Sequence, residues 1–348
     1  MPLSWATMKL NIVSYGTTDF YYGPVFEILK EYFNLELFQT GKSYDKSTTI
    51  FAITRAENLI PEVYSYLEQG YPLLVVNLWE ARPYFPVDQF APYLNNISLM
   101  LGCVNPYDYG WKNIIAVPRW FWYHEATLYY NNPDYNYSPN RSGERLFLMP
   151  MKRKKSFRDQ IKLKLDPFLE RAIWSSTESW GITLPTEKQG RVIDRIFDPA
   201  WYDQTLFSVV VESAVDRQTR LELECSNLRD ESLPCDAFIT EKTYKPIAFG
   251  HPYMLCAMKD TLKYLKSFGF ESYDNIFDES YDSLNTFNER LELIYNNIEQ
   301  FDISLYHSKL TQEKIEHNQN LFYNIDYITR SIELDVVRPI LEFYGKIY

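Results

Sequence analysis

Glu241 and Lys242 stand side by side after the short apolar segment Phe238-Ile239-Thr240, with Lys245-Pro246 just beyond and an apolar run from Tyr253 to Ala257. If that segment is a strand, the pair lies at the carboxyl edge of an α/β sheet, where open parallel sheets bind their ligands. There a glutamate can accept hydrogen bonds from ribose hydroxyls, and a lysine can meet a diphosphate as a compact point charge. This is the chemistry of nucleotide-sugar binding. The same residues also read as a helix start, with Thr240 as N-cap and Glu241 and Lys242 as solvated first-turn residues. Pro246 weighs against that second reading, because proline suits the first turn of a helix and not its interior.

Other polar groups recur at the ends of apolar runs. Asp19 follows Leu10 to Val13, Glu80 follows Val75 to Leu78, and Glu212 with Ser213 follows Phe207 to Val211. The recurrence matters more than any one residue, since each alone is an ordinary turn or cap residue, and for Asp19 the turn is the preferred reading. The turn Lys152 to Arg158 holds five basic residues between a strand-like run and a helical pattern. Amides and dipole add to side chains at such a place, which makes it a ready anion site, with a solvated basic face as the competing reading. Arg191 and Arg195, spaced i to i+4, form a second basic pair. No two aspartates stand two residues apart, and neither a glycine-rich phosphate loop nor a GxSxG elbow is present. Four cysteines (103, 225, 235, 256) and four histidines (124, 251, 307, 317) show no metal-ligand spacing, so neither metal nor cofactor is expected.

The elements that must position these groups alternate. Leu10 to Val13 predicts a strand, helical spacing runs through Phe26, Leu29 and Phe33, and Leu35 to Phe38 predicts a second strand. Thr48 to Ile53, a helix around Ile60 to Gln69 closed by Gly70, and Leu73 to Leu78 repeat the theme, which implies a parallel sheet with helices. Residues 131 to 144 turn rich in Asn, Pro, Tyr, Ser and Gly. They place a boundary between domains 1–142 and 143–348. The second half predicts strands at Leu146 to Met149, Phe207 to Val211, Phe238-Ile239 and Tyr253 to Ala257. A helix with Ile161, Leu165, Phe168, Leu169 and Ala172 on one face is opened by a Ser156/Asp159 capping box. Asp216 to Cys235 reads as an inserted loop, and helices run from about Ser283 to the C-terminus.

Composition narrows the function classes. A chain of 348 residues with 46% apolar and 23% charged residues has room for two globular domains. Its net charge of -11 argues against broad nucleic-acid binding, which depends on Lys and Arg neutralising phosphates. Aromatics reach 17%, with 29 tyrosines, and serve mostly as core. Without paired CxxC motifs the cysteines are expected reduced, with a Cys225 to Cys235 bridge as the alternative. Neither a membrane-length apolar run nor a signal peptide is expected, so the expectation is a soluble, cytoplasmic protein.

The run FITEKTYKPIAFGHPYML resembles the Thr-Glu-Lys segment of the α-1,3-fucosyltransferase family. SVVVES, Ser208 to Ser213, is similar to that family's Phe-Glu-Asn-Ser strand end, with Ser213 where asparagine is usual. VVNLWEARPYF resembles the segment carrying the family's catalytic glutamate, which falls on Glu80. IIAVPRWFWY resembles its Arg-x-Pro segment, here in the order Pro118-Arg119. TEKTYKP together with the later DESYD looks closer to glycosyltransferase-like proteins of viruses and bacteria, which implies the cytoplasm of the organism itself or of a virus-infected host cell, although DESYD itself reads as a helix start. The resemblance implies a GT-B fold, two Rossmann-like domains facing each other across a cleft. It also implies inverting, metal-independent transfer from a nucleotide-diphosphate sugar, GDP-linked by preference, to a hydroxyl acceptor such as a glycan. Glu80 would then be the general base, with Asp19, His124 and Glu125 next in line. Lys242, with Arg158 or Arg195, would stabilise the departing diphosphate, Glu241 would hold the ribose, and Glu212 would orient Lys242 or a sugar hydroxyl. Ser213, Thr240 and Lys245 complete the donor side. Trp79, Tyr84 and Trp122 are acceptor-stacking candidates, each also readable as core.

Two other classes stay open at this point. A transferase acting on hydroxymethylated bases would use the Lys152 to Lys164 cluster against a phosphate backbone and bind with steep salt dependence. A non-catalytic nucleotide-sugar-binding protein would bind the donor and transfer nothing.

Overall fold

The computed structural model describes residues 9–13, 28–37, 39, 41–53, 61–78, 90–102, 113–130, 143–151, 155–175, 200–215, 237 and 239–347. The chain divides into two compact units, one formed by Met1–His124 with Asp326–Tyr348 and the other by Glu125–Ile325. Each is built on its own parallel sheet.

In the first unit β1 (Lys9–Val13), β2 (Asn34–Leu37), β3 (Thr49–Ile53), β4 (Leu73–Asn77), β5 (Ile97–Leu101) and β6 (Ile114–Ala116) form a six-stranded sheet in the order β2-β1-β3-β4-β5-β6. Every pairing is parallel. All five residues of β3 and of β5 are buried, which is what a strand covered on both faces requires. Helix α1 (Pro61–Glu68) links β3 to β4 and ends at Gly70, whose φ of 79° is the left-handed conformation a helix terminus favours. Helix α2 (Trp120–Tyr130) is apolar on every side and buries Trp120, Phe121, Trp122 and Tyr123, so it behaves as a core helix. The unit division falls inside it, between His124 and Glu125, and not at the compositional boundary at 142.

The second unit holds β7 (Arg145–Pro150), β8 (Ile173–Ser175), β9 (Thr205–Val211) and β10 (Tyr253–Cys256) in the order β10-β9-β7-β8, again all parallel. The chain leaves β7 for β8 on one side and returns to β9 on the other. The strand order therefore reverses between β7 and β9, the place where doubly wound sheets bind ligands. Helix α3 (Ser156–Leu165) follows β7, α4 (Ala200–Gln204) precedes β9, α5 (Glu241–Ala248) precedes β10 and α6 (Thr261–Ser267) follows it. Helices α7 (Phe287–Glu299), α8 (Ile303–Tyr306) and α9 (Lys309–Phe322) start at side-chain caps, Thr286, Asp302 and Ser308 respectively. The last helix, α10 (Ile325–Ile347), belongs almost wholly to the first unit. Its buried Ile328, Ile332, Val336 and Ile340 recur every fourth residue, and Asp335 pairs with Arg119 at 3.1 Å. Among the described residues no helix is long and apolar enough to cross a membrane.

Three local expectations change. Ile239 and Thr240 are not strand residues, because the Thr240 amide donates to the Glu212 carboxylate and not to a neighbouring strand. Helix α3 has Lys155 as N-cap with no side-chain capping bond, so Ser156 opens the helix and does not cap it. Pro246 lies inside α5, five residues after its start, where it withholds the N–H that would have bonded the Lys242 carbonyl. Helix α5 is held from outside instead: Nε2 of Gln319 in α9 and Oη of Tyr323, the C-cap of α9, donate to the Ala248 carbonyl at 3.1 and 3.3 Å.

Candidate functional site

Strand β9 is seven buried residues followed directly by Glu212, which is 1% exposed. A buried carboxylate is costly unless its lone pairs are filled. Here they are. Oε1 accepts from the Thr240 amide (3.0 Å) and the Thr243 hydroxyl (2.7 Å). Oε2 accepts from the Thr240 hydroxyl (2.6 Å) and the Ser213 amide (3.3 Å). Glu212 thus fastens the end of β9 to the first turn of α5, and no lone pair remains for a sugar hydroxyl. Its work is to orient the turn. Thr243 was not singled out in the sequence; its place three residues after the cap threonine was the available signal.

Thr240 is the N-cap of α5, its side chain accepting from the Lys242 amide at 3.4 Å. The cap and the charged site are therefore one structure. Lys242 Nζ folds back over the cap and donates to Glu241 Oε1 (2.8 Å), Thr240 Oγ1 (3.0 Å) and Ser213 Oγ (3.2 Å), with Glu212 Oε2 at 3.9 Å. Burial works against the Lys242 charge, as does nearby Arg158, yet Glu241 and Glu212 outweigh both and raise its pKa above the ordinary lysine value. For Glu241 burial pushes the pKa up, but Lys242 and Lys245 overcome it and hold the carboxyl down to about 2. Both members of the pair are charged at neutral pH.

From the other side of the strand-order reversal, Lys155 at the start of α3 donates its Nζ to the Ser213 carbonyl at 2.8 Å. Ser213 therefore receives two ammoniums, Lys155 on its backbone oxygen and Lys242 on its hydroxyl. Arg158, buried on the first turn of α3, acts electrostatically on Lys242. Four cationic side chains gather here with two carboxylates: Lys155 on the Ser213 carbonyl, Arg158 near Lys242, and Lys242 and Lys245 near Glu241, with Glu212 beside Lys242. With the α5 amino terminus adjoining, the local field favours a further anion.

The remaining candidates divide. Asp19, Trp79, Glu80, Tyr84, Arg191, Arg195 and Lys152 to Lys154 lie outside the described residues, as does the insert from Asp216 to Cys235. His124 and Glu125 are buried in α2, at 3% and 2% exposure, and Glu125 accepts from Tyr129 Oη at 2.5 Å, a contact of adjacent helical turns. Trp122 is fully buried against Tyr327, which is a core position. Asp282 of DESYD is a remote helix cap, accepting from the Leu262 and Lys263 amides of α6 at 3.0 and 3.2 Å. His251 is buried between Ser208 Oγ (2.7 Å) and the Thr205 carbonyl (2.8 Å). Cys256 is a buried free thiol, pushed up to about 12 by burial. Among the described residues no cluster of His, Cys, Asp and Glu is arranged to hold a metal ion. Searches of protein-family models and of curated proteins find no match to this chain.

Proposed function

We propose that this chain is a glycosyltransferase that binds a nucleotide-diphosphate sugar at the α5 amino terminus and passes the sugar to a hydroxyl acceptor. The observation that carries the reading is the meeting of Lys155 and Lys242 on Ser213, beside Arg158, at the strand-order reversal of the second sheet. Two ammoniums from different elements held by one residue suit an anion with two phosphoryl groups. Two parallel-sheet α/β units in one chain are the domain content that a GT-B enzyme needs, and the Thr-Glu-Lys resemblance supplies the reaction class.

In this proposal Lys242 and Arg158 stabilise the charge that develops on the departing diphosphate, the kind of electrostatic contribution that often dominates catalysis. Glu241 accepts from the ribose hydroxyls. Glu80 takes the acceptor proton as general base, giving inversion without a metal, and the acceptor is a glycan. A GDP-linked sugar is the favoured donor.

The test is a thermal-shift panel of GDP, UDP, CMP and ADP sugars on wild-type protein and Lys242→Ala. A true donor at a hundredfold its Kd stabilises the native state by about 2.7 kcal/mol. Unchanged donor affinity in Lys242→Ala rejects the donor site. Near-normal sugar transfer by Glu80→Gln, with an acceptor in hand, rejects Glu80 as the base and leaves the donor site standing.

A further inference from the structure

We infer that Glu241 is a resident anion of the site, occupying Lys242 in the empty protein and giving way when a ligand diphosphate arrives. This rests on the diphosphate reading above and concerns how that site is kept and filled.

An ammonium has three hydrogens to give, and all three of Lys242 are engaged, by Glu241, Thr240 and Ser213 at 2.8, 3.0 and 3.2 Å. A phosphate oxygen reaches Lys242 only by displacing one of them. Thr240 is fixed: it is 2% exposed, caps α5 and donates to Glu212 at 2.6 Å. Ser213 is fixed as well, its amide on Glu212 and its carbonyl under Lys155. Glu241 alone of the three is a long side chain with partial exposure, 15%, held by Lys242 and, more weakly, by Lys245 and its own amide. It is also the only one of the three with a charge, so its departure leaves a vacancy that a ligand anion fills in kind. Lys242 and Lys245 remain beside it, with Arg158 next to Lys242 and Lys155 on the Ser213 carbonyl, and a diphosphate brings more negative charge than the single carboxylate it replaces. The exchange runs toward the ligand, and breaking the ion pair subtracts from the affinity of any simple anion.

A double-mutant cycle with inorganic pyrophosphate reads this out. Calorimetric titrations to millimolar ligand would compare wild type, Glu241→Gln, Lys242→Met and the double variant, with Glu241→Ala as a second way to remove the carboxylate. Both single Glu241 changes should tighten pyrophosphate by about fivefold, the scale of a partly exposed ion pair. Lys242→Met should weaken it, with Lys155 and Arg158 retaining a measurable remainder, and on that background the Glu241→Gln gain should vanish. A gain of the same size without Lys242 is simple through-space repulsion and overturns the exchange, as does affinity unchanged or weakened by Glu241→Gln. Pyrophosphate affinity untouched by Lys242→Met overturns the diphosphate reading of the site, and the exchange with it.

Discussion

Glu212 and Thr240 stand 28 residues apart and are joined by two hydrogen bonds, amide to Oε1 at 3.0 Å and hydroxyl to Oε2 at 2.6 Å. The carboxylate at the end of β9 thereby does for α5 what a strand neighbour would have done for the segment before it. It sets where the helix begins, and so where Lys242 stands. Replacing it by glutamine should be costly although the shape is kept, because the amide N–H groups would face donors that now have no acceptor. Hydrogen bonds to a charged acceptor contribute roughly 1.5–3 kcal/mol each, partly offset by the cost of burying the charge. Glu212→Gln is expected to lose about 3 kcal/mol in urea unfolding, with Glu212→Ala losing at least as much. A loss below about 1 kcal/mol would mean that the turn is held by something else.

How far this was legible in the sequence depends on the range of each interaction. Three of the buried strands announced themselves, since Thr49–Ile53, Leu73–Asn77 and Thr205–Val211 are unbroken or nearly unbroken apolar runs, whereas no strand was expected at Ile97–Leu101 or Ile114–Ala116. Ile173–Ser175 gave no such signal, because three residues after a helix are too few to show a period. Lys155, Arg158, Glu212 and Lys242 could be nominated one by one as strand-end charges. Their meeting on Ser213 could not, because strand order decides which ends are neighbours and no local pattern encodes the reversal between β7 and β9. The false strand at Ile239 has the same origin: an apolar pair looks alike whether its amides meet a strand or a distant carboxylate.

Asp282 makes stability depend on pH. Its carboxylate caps α6 from 20 residues away, where Asp260 sits in the left-handed region (φ 63°) and offers no side-chain cap. Burial raises the Asp282 carboxyl to about 6, although the Leu262 and Lys263 amides pull it the other way. A carboxyl raised in the folded state keeps its proton after the unfolded chain has released it. Its contribution is therefore complete below pH ~4 and is lost as pH climbs through 6. Wild type, compared with Asp282→Asn, should lose on the order of 2 kcal/mol between pH 4 and pH 7. Urea midpoints at unit pH steps would show it, and parallel profiles for the two proteins would reject the assignment.

Gly102 is required by a close approach of backbone to backbone. A Cβ at this position would lie 1.9 Å from the Leu78 carbonyl oxygen and 2.9 Å from its carbon, neither of which can move aside as a side chain can. Alanine here must push the end of β5 away from the end of β4. A cost at or above the roughly 1–3 kcal/mol of ordinary overpacking is expected in thermal unfolding. Leu78 is followed in the chain by Trp79 and Glu80, so under the proposed function, with Glu80 as base and the donor at Lys242 in the other unit, sugar transfer by Gly102→Ala should fall further than donor affinity. Equal losses in both would detach Gly102 from the acceptor side.

Arg290 supports the site from behind. It is 3% exposed on α7 and donates through Nη1 to the carbonyls of Leu284 (2.8 Å) and Asn285 (3.2 Å), and through Nη2 to the carbonyl of Val215. Val215 is two residues beyond Ser213, on which Lys155 and Lys242 meet. A planar guanidinium can serve carbonyls from two chain segments at once, and a lysine ammonium reaches fewer of them in that fork geometry. Arg290→Met should therefore cost about 3 kcal/mol by leaving the buried Val215 carbonyl and the partly buried ones of Leu284 and Asn285 without these donors. Arg290→Lys should fall between Met and wild type. Because the loop carrying Ser213 loosens, pyrophosphate affinity should fall in the same order, at temperatures where all three proteins remain folded. Destabilisation with pyrophosphate affinity intact in both variants would confine Arg290 to the core and free Ser213 from its control.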